Sequence, residues 1–281
     1  MKIKRLFSTL LMAAAFFGPA KPAMAADEPA SSIQDLLVTP TRVVFEGNMP
    51  TTELALVNRS EKPHTYAISF VQCRMSETGE IKEIDATTPQ DPQEHFADSL
   101  VRFSPRRVIL EPRQVQMVRM MLRKPADLGD GEYRSHLSFR LIPTAENAVK
   151  PDSVSSGIQI KLTPIYGVSI PVIVRQGSLK ATTKLSNLRF DAKRLHLTIE
   201  REGSRSTYGD LVVQFRGTGK AVTVAQMNGV AVYTPNPKRT VLLSLSPPKG
   251  IELRGGELIV RYATKENDTE QLLAEGRITV P

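Results

Sequence analysis

Residues 158–174 read IQIKLTPIYGVSIPVIV. Every even position is apolar or proline: Ile158, Ile160, Leu162, Pro164, Tyr166, Val168, Ile170, Val172 and Val174. The odd positions begin polar, with Gln159, Lys161 and Thr163. Alternation with period two predicts a β-strand that buries one face. At roughly 3.3 Å per residue the run would extend on the order of 55 Å, whereas an ordinary strand has about 5–6 residues. Pro164 and Pro171 cannot donate to a ladder, which places such a strand at a sheet edge. A long apolar edge is an aggregation hazard unless something covers it. Either another element covers this one, or covering it is the function.

The rest of the chain repeats the same period in shorter runs. LLVTPTRVVFEG (36–47), TTELALVN (51–58), HTYAISFVQCRM (64–75), LVRFSPRRVIL (100–110), QVQMVRMML (114–122) and GEYRSHLSFRLI (131–142) precede the long run. A polar stretch between 76 and 96 predicts a loop or small hairpin, and QEHFADSL (93–100) is the best candidate for a turn or two of helix. Short strands separated by Pro and Gly turns predict a β-sandwich of immunoglobulin type, without the Trp and Cys pair of antibody domains. Gln176-Gly177 interrupts the pattern, which then restarts with TTKLSNLRF, RLHLTIERE, GDLVVQFRG, AVTVAQMNGVAVY, KRTVLLSLSP, GELIVRYAT and LLAEGRITV. The expectation is all-β: a first sandwich over 26–175 and a second over 176–281.

The first 25 residues carry a basic start (Lys2, Lys4, Arg5), an apolar stretch from Leu6 to Phe17, and Ala23-Met24-Ala25. This predicts a secretory signal peptide cut near Ala25. Gly18-Pro19 breaks the apolar run before it is long enough to span a bilayer, and no later segment reads as a membrane crossing. Export is expected, with the bacterial periplasm as the destination. The formal charge is +8, and removing Lys2, Lys4, Arg5 and Lys21 leaves +4. That is too modest to imply nucleic acid. Cys73 is the only cysteine, so no internal disulfide is available, and its apolar setting (YAISFVQC) predicts a buried small residue.

Signals for catalysis are absent. His64, His95, His136 and His196 lie far apart and lack the spacing of metal ligands. Ser135 and His136 are neighbours on one strand and point to opposite faces, so they do not form a nucleophile–base pair. No G-x-S-x-G elbow, phosphate loop or dinucleotide fingerprint occurs. No enzyme activity, metal or cofactor is expected. Two basic residues stand out instead. Arg42 sits within TPTRVVF, where a guanidinium fork could hold a carboxylate or could simply be solvated. Lys161 interrupts the long run, where its stem could lie on apolar surface with the ammonium in water.

The order of segments resembles the periplasmic chaperones of chaperone–usher pilus assembly. TPTRVVFEG, ELALVNRSEKP ending its strand at Asn58, FSPRRVILEPRQVQMVRM with Pro105, Leu110, Pro112, Val118 and Arg119, and a strand ending FRLIP fall in sequence over 36–175. The second half matches in size and strand content. The resemblance implies two immunoglobulin-like sandwiches set as a boomerang around a cleft. It also implies donor-strand complementation, in which the long strand lends alternate apolar side chains to a pilus subunit lacking its last strand. Ile158, Ile160 and Leu162 match the donor positions. Val168 and Ile170 either extend that row or belong to the passage between the sandwiches.

The resemblance further implies two basic residues in the cleft that hold the subunit's terminal carboxylate. Arg42 matches the first. The second should be a lysine five residues beyond the third donor, where this chain has Gly167. Lys161 is the nearest substitute, with Arg119, Arg134 and Arg175 as weaker candidates. This departure, and the phrase GEYRSHL, resemble the archaic or alternative branches. The implied partners are pilus or fimbrial subunits and an outer-membrane usher. Self-association is one way of capping the donor strand between uses. An exported adhesive or carbohydrate-binding protein is the rival reading, disfavoured by 6% aromatic residues and no Trp. A pilus subunit is a third, disfavoured by an internal donor strand.

Overall fold

The computed structural model describes residues 35–85, 87–89, 91–143, 167–191, 193–266 and 269–281. No α-helix occurs among them. The strands are β1 (Leu36–Thr39), β2 (Val43–Phe45), β3 (Thr51–Asn58), β4 (His64–Val71), β5 (Cys73–Met75), β6 (Ile81–Glu83), β7 (Val101–Ser104), β8 (Arg107–Leu110), β9 (Val115–Leu122), β10 (Gly131–Leu141) and β11 (Gly167–Gln176). After them come β12 (Ala181–Asp191), β13 (Arg194–Gly203), β14 (Thr207–Arg216), β15 (Val222–Val232), β16 (Lys238–Ser244), β17 (Gly256–Glu266) and β18 (Thr269–Val280).

Two sheets, β1-β3-β9-β7 and β2-β11-β10-β4-β8, make the first sandwich. Their order is that of an immunoglobulin sandwich, with the first, second, fifth and fourth strand positions filled by β1, β3, β9 and β7 on one sheet, and β4 with the antiparallel pair β10 and β11 on the other. The second sandwich repeats the plan in β12-β13-β16 and β15-β14-β17-β18. Period-two sequences explain the two cores. Leu54 and Leu56 of β3, Val118 and Met120 of β9, and Leu137, Phe139 and Leu141 of β10 all point into the first core. Leu195, Leu197 and Ile199 of β13 and Leu211, Val213 and Phe215 of β14 point into the second. Fully burying one such side chain contributes about 1.5–3 kcal/mol. Cys73 is buried, and burial pushes its thiol up to about 11, which leaves it unreactive.

Three sequence runs that read as single strands divide. The runs 36–47 and 100–110 each change sheet at a proline: β1 gives way to β2 across Pro40, and β7 to β8 across Pro105. Proline removes a ladder donor, which frees the chain to leave one sheet and join the other. The run 64–75 breaks at Gln72 into β4 and β5, and β5 forms a hairpin with β6. The helical turn expected over 93–100 does not form. Its backbone is spent on neighbours instead: the carbonyl of His95 accepts from Arg134 N at 2.8 Å, and Ala97 N and Asp98 N donate to Ser135 Oγ at 2.9 and 3.1 Å. Asn58 ends β3 fully buried, where its amide donates to the carbonyls of Lys62 and Leu110 and its oxygen accepts from Ser60. The chain leaves β11 through Gly177, whose φ of +80° favours glycine.

Candidate functional site: the seam between the sandwiches

β10 and β11 pair antiparallel, and the register sets Glu132 directly opposite Arg175. Both face the second sandwich. Arg175 Nε donates to Glu132 Oε2 at 3.1 Å, and its Nη1 donates to Glu46 Oε2 at 2.7 Å. Glu132 also accepts from the backbone N–H of Ser206 at 3.0 and 3.1 Å and from Thr234 Oγ1 at 3.3 Å. A buried carboxylate with this many donors is satisfied, and it joins the two sandwiches. Burial works against the charge on Arg175, but Glu132 and Glu46 offset it and hold the guanidinium's pKa above its ordinary value.

Arg42 lies on the crossing between β1 and β2, beside the same knot. Its guanidinium carbon stands 4.6 Å from the centre of the Tyr208 ring of β14. Its Nε and Nη2 are buried and have no hydrogen-bond partner among the described residues. Desolvation lowers its pKa, and the positive charge of Arg175 adds to that, while Tyr233 and Glu132 oppose it. A guanidinium nevertheless stays protonated. Arg42 and Arg175 line a cavity of about 60 Å³, with Arg205, Ser206 and Tyr208 from the second sandwich. The hydroxyl of Ser206 is buried and also lacks a partner among the described residues. The lining of the cavity thus includes three arginines and no carboxylate. Chemically it suits a small anion such as a carboxylate, and about 60 Å³ admits one or two groups of water size.

Arg134, two residues along β10, is buried against Tyr233 with its guanidinium carbon 4.6 Å from the ring centre. Its Nε and Nη1 lack partners among the described residues, and desolvation lowers its pKa. His136 follows on the same face, edge-on to Tyr233. Burial, aided by the charge of Arg134, pushes its imidazole down to about 3. Ser135 points the other way and donates to Gln72. No cluster of three His, Cys, Asp or Glu side chains among the described residues is placed to hold a metal ion.

Of the residues singled out by sequence, the seam thus gathers Arg42, Arg134 and Arg175. Arg119 does not join them: it is exposed on the outer face of the other sheet, cross-strand from Glu53. Arg175 is no free anchor, because two carboxylates already hold it. Ile170 is buried in the core of its own sandwich and Val168 packs against that core. Side chains that fill their own core cannot also fill a client's groove, so the donor row does not extend to them. Ile158, Ile160, Leu162 and Lys161 lie outside the described residues, as does the signal segment over 1–25. Sequence reading missed Glu132, Glu46, Ser206, Tyr208 and Tyr233. One signal was present: pairing GEYRSHL antiparallel with VIVRQG puts Glu132 across from Arg175.

No protein-family model matches the chain, and no curated protein does. Among solved structures, 138 chains match. The YadV chaperone is 11% identical, with 87% of this chain and 98% of that chain covered at a TM-score of 0.43. The CupB2 chaperone of Pseudomonas aeruginosa is 13% identical over 86% and 98%, at 0.40. The CsuC–CsuE chaperone–tip subunit complex of the archaic chaperone–usher Csu pili of Acinetobacter baumannii gives 14% identity over 88% and 99%, at 0.43. The chain is similar in fold to these chaperones over most of its length.

Proposed function

We propose that this protein is a periplasmic chaperone that captures pilus or fimbrial subunits by lending them a strand and delivers them to an outer-membrane usher. The observation that carries the reading is the edge of β11. On the side away from β10, β2 covers only Val172–Val174, so Gly167–Pro171 have no strand partner there among the described residues. The alternating segment 158–166 immediately precedes these residues in sequence. An incoming strand could add to it, taking affinity from main-chain bonds and specificity from Ile158, Ile160 and Leu162. Arg42, with Ser206 beside it, is the proposed anchor for the client's terminal carboxylate, and Lys161 a second contact on the strand. Binding rather than catalysis is the expected activity, with the two sandwiches acting as separate domains on either side of Gln176-Gly177.

The test is a pull-down from the native periplasm with the protein tagged at Pro281, beside an Ile160→Glu variant. A β-rich exported protein recovered by the parent and lost in the variant is the expected result. Equal recovery by both would remove the donor strand from the account. Recovery of a glycan in place of a protein would favour the adhesive reading.

A further inference from the structure

The β5–β6 hairpin belongs by sequence to the first sandwich, yet its outer end contacts the second. Met75 is buried in the second core. Asn236 Nδ2 donates to the carbonyl of Met75 at 2.7 Å. Thr240 N, on the edge strand β16, donates to the carbonyl of Glu77 at 2.7 Å, and its hydroxyl reaches the same oxygen at 3.2 Å. At the tip Gly79 has a φ of +85°, and a Cβ there would collide with the guanidinium of Arg239. Arg239 is itself held by the carbonyl of Ala231 at 2.9 Å. The base of the hairpin is fixed as firmly to its own side. Arg74 makes a two-pronged pair with Glu94 at 2.6 and 2.7 Å, and Glu83 pairs with Arg140.

The other links between the sandwiches are Gly177, the Glu132 knot, the side chains of Ile173 and Val44 against the second core, Arg42 over Tyr208, and Arg134 and His136 against Tyr233. All of these come from β2, β11 and the first half of β10, or from the residues that flank β2 and β11, and these three strands are neighbours in one sheet. A joint held only there can hinge about that line, and relative motion is the default for sandwiches joined by a modest interface. The hairpin springs from the end of β4, on the far side of β10 from β11. It supplies the contact off the line. We propose that the β5–β6 hairpin is a latch that fixes the second sandwich against the first, and so holds the composite cavity in which Arg42 faces Ser206 and Tyr208. The proposal is independent of what the cavity binds.

The test is a distance measurement between spin labels at Arg102→Cys and Lys249→Cys, both exposed, in a Cys73→Ala background. One variant replaces 76–80 by Asn-Gly, a two-residue turn that suits the Met75–Ile81 pairing. A second, Asn236→Ala with Thr240→Pro, breaks the same joint from the other side, where an edge strand tolerates proline. The parent should give one narrow distance distribution, and either variant one roughly twofold wider, as a freed inter-domain joint does. An unchanged width in a folded variant overturns the latch. Amide exchange on the unaltered protein decides the matter even if neither variant folds. Thr240 should be protected as well as Ser206, and exchange at the rate of an open loop would overturn the proposal.

Discussion

Arg175 and Arg42 stand at one seam, and both are largely withdrawn from water, but they are treated in opposite ways. Arg175 is held by Glu132 and Glu46, and the knot extends to the Ser206 amide and Thr234. Arg42 has an aromatic face beneath it and two buried donors with no partner among the described residues. A satisfied buried ion network rigidifies, whereas an unsatisfied one costs stability and waits for something. The difference separates the part of the seam whose polar groups are satisfied from the part that keeps donors without partners among the described residues.

The sharpest way to break the comparison is Glu132→Ala. It leaves Arg175 to Glu46 alone and strands the Ser206 amide in a buried setting, and losing one partner of a buried pair costs about 3–5 kcal/mol. Urea unfolding should show that loss. A loss below about 1 kcal/mol, the worth of an exposed pair, would mean that water reaches the knot.

A smaller effect comes from His136 on the same face. Its folded pKa lies near 3, below the ordinary value of 6.5, so between those values the unfolded chain binds the extra proton. Stability from this group is fully present above about pH 6.5 and falls as pH drops, at about 1.4 kcal/mol per unit. Near pH 4.5 the accumulated loss should be on the order of 2–3 kcal/mol. His136→Gln should flatten the acid side of a stability–pH profile by that amount. An unaltered slope would mean that the imidazole is solvated in solution.

Much of this was legible in the sequence, and the misses have physical causes. Period-two runs located most of the strands because each buries one face. The sheet changes at Pro40 and Pro105 escaped, since both halves of each run keep the same alternation and only tertiary pairing parts them. The helical turn over 93–100 failed because Ser135 and Arg134, distant in sequence, claim its backbone groups. Arg42 and Arg134 were visible as basic residues in strands. Tyr208 and Tyr233 were not visible as their supports, because nothing in a sequence shows which face of a second sandwich meets a first. Val168 and Ile170 continue the apolar alternation that begins at Ile158, yet from Gly167 the chain pairs in its own sheet, and there the period serves the core of its own sandwich.

The mildest change should be the most informative. Arg42→Met keeps an apolar stem over Tyr208 and removes a charge whose donors are unmet. The lost cation–π contact is worth about 0.5–2 kcal/mol, and relief of the unsatisfied donors returns about 1–3 kcal/mol. These oppose each other, so the melting midpoint should stay nearly fixed or rise slightly. Capture of a client bearing a free terminal carboxylate should weaken, and capture of the same client with its terminus amidated should not change further. A large drop in stability would show that Arg42 is structural, like Arg175, and would close the gap between the two. Equal weakening for both forms of the client would place the carboxylate elsewhere, with Lys161 the next residue to replace.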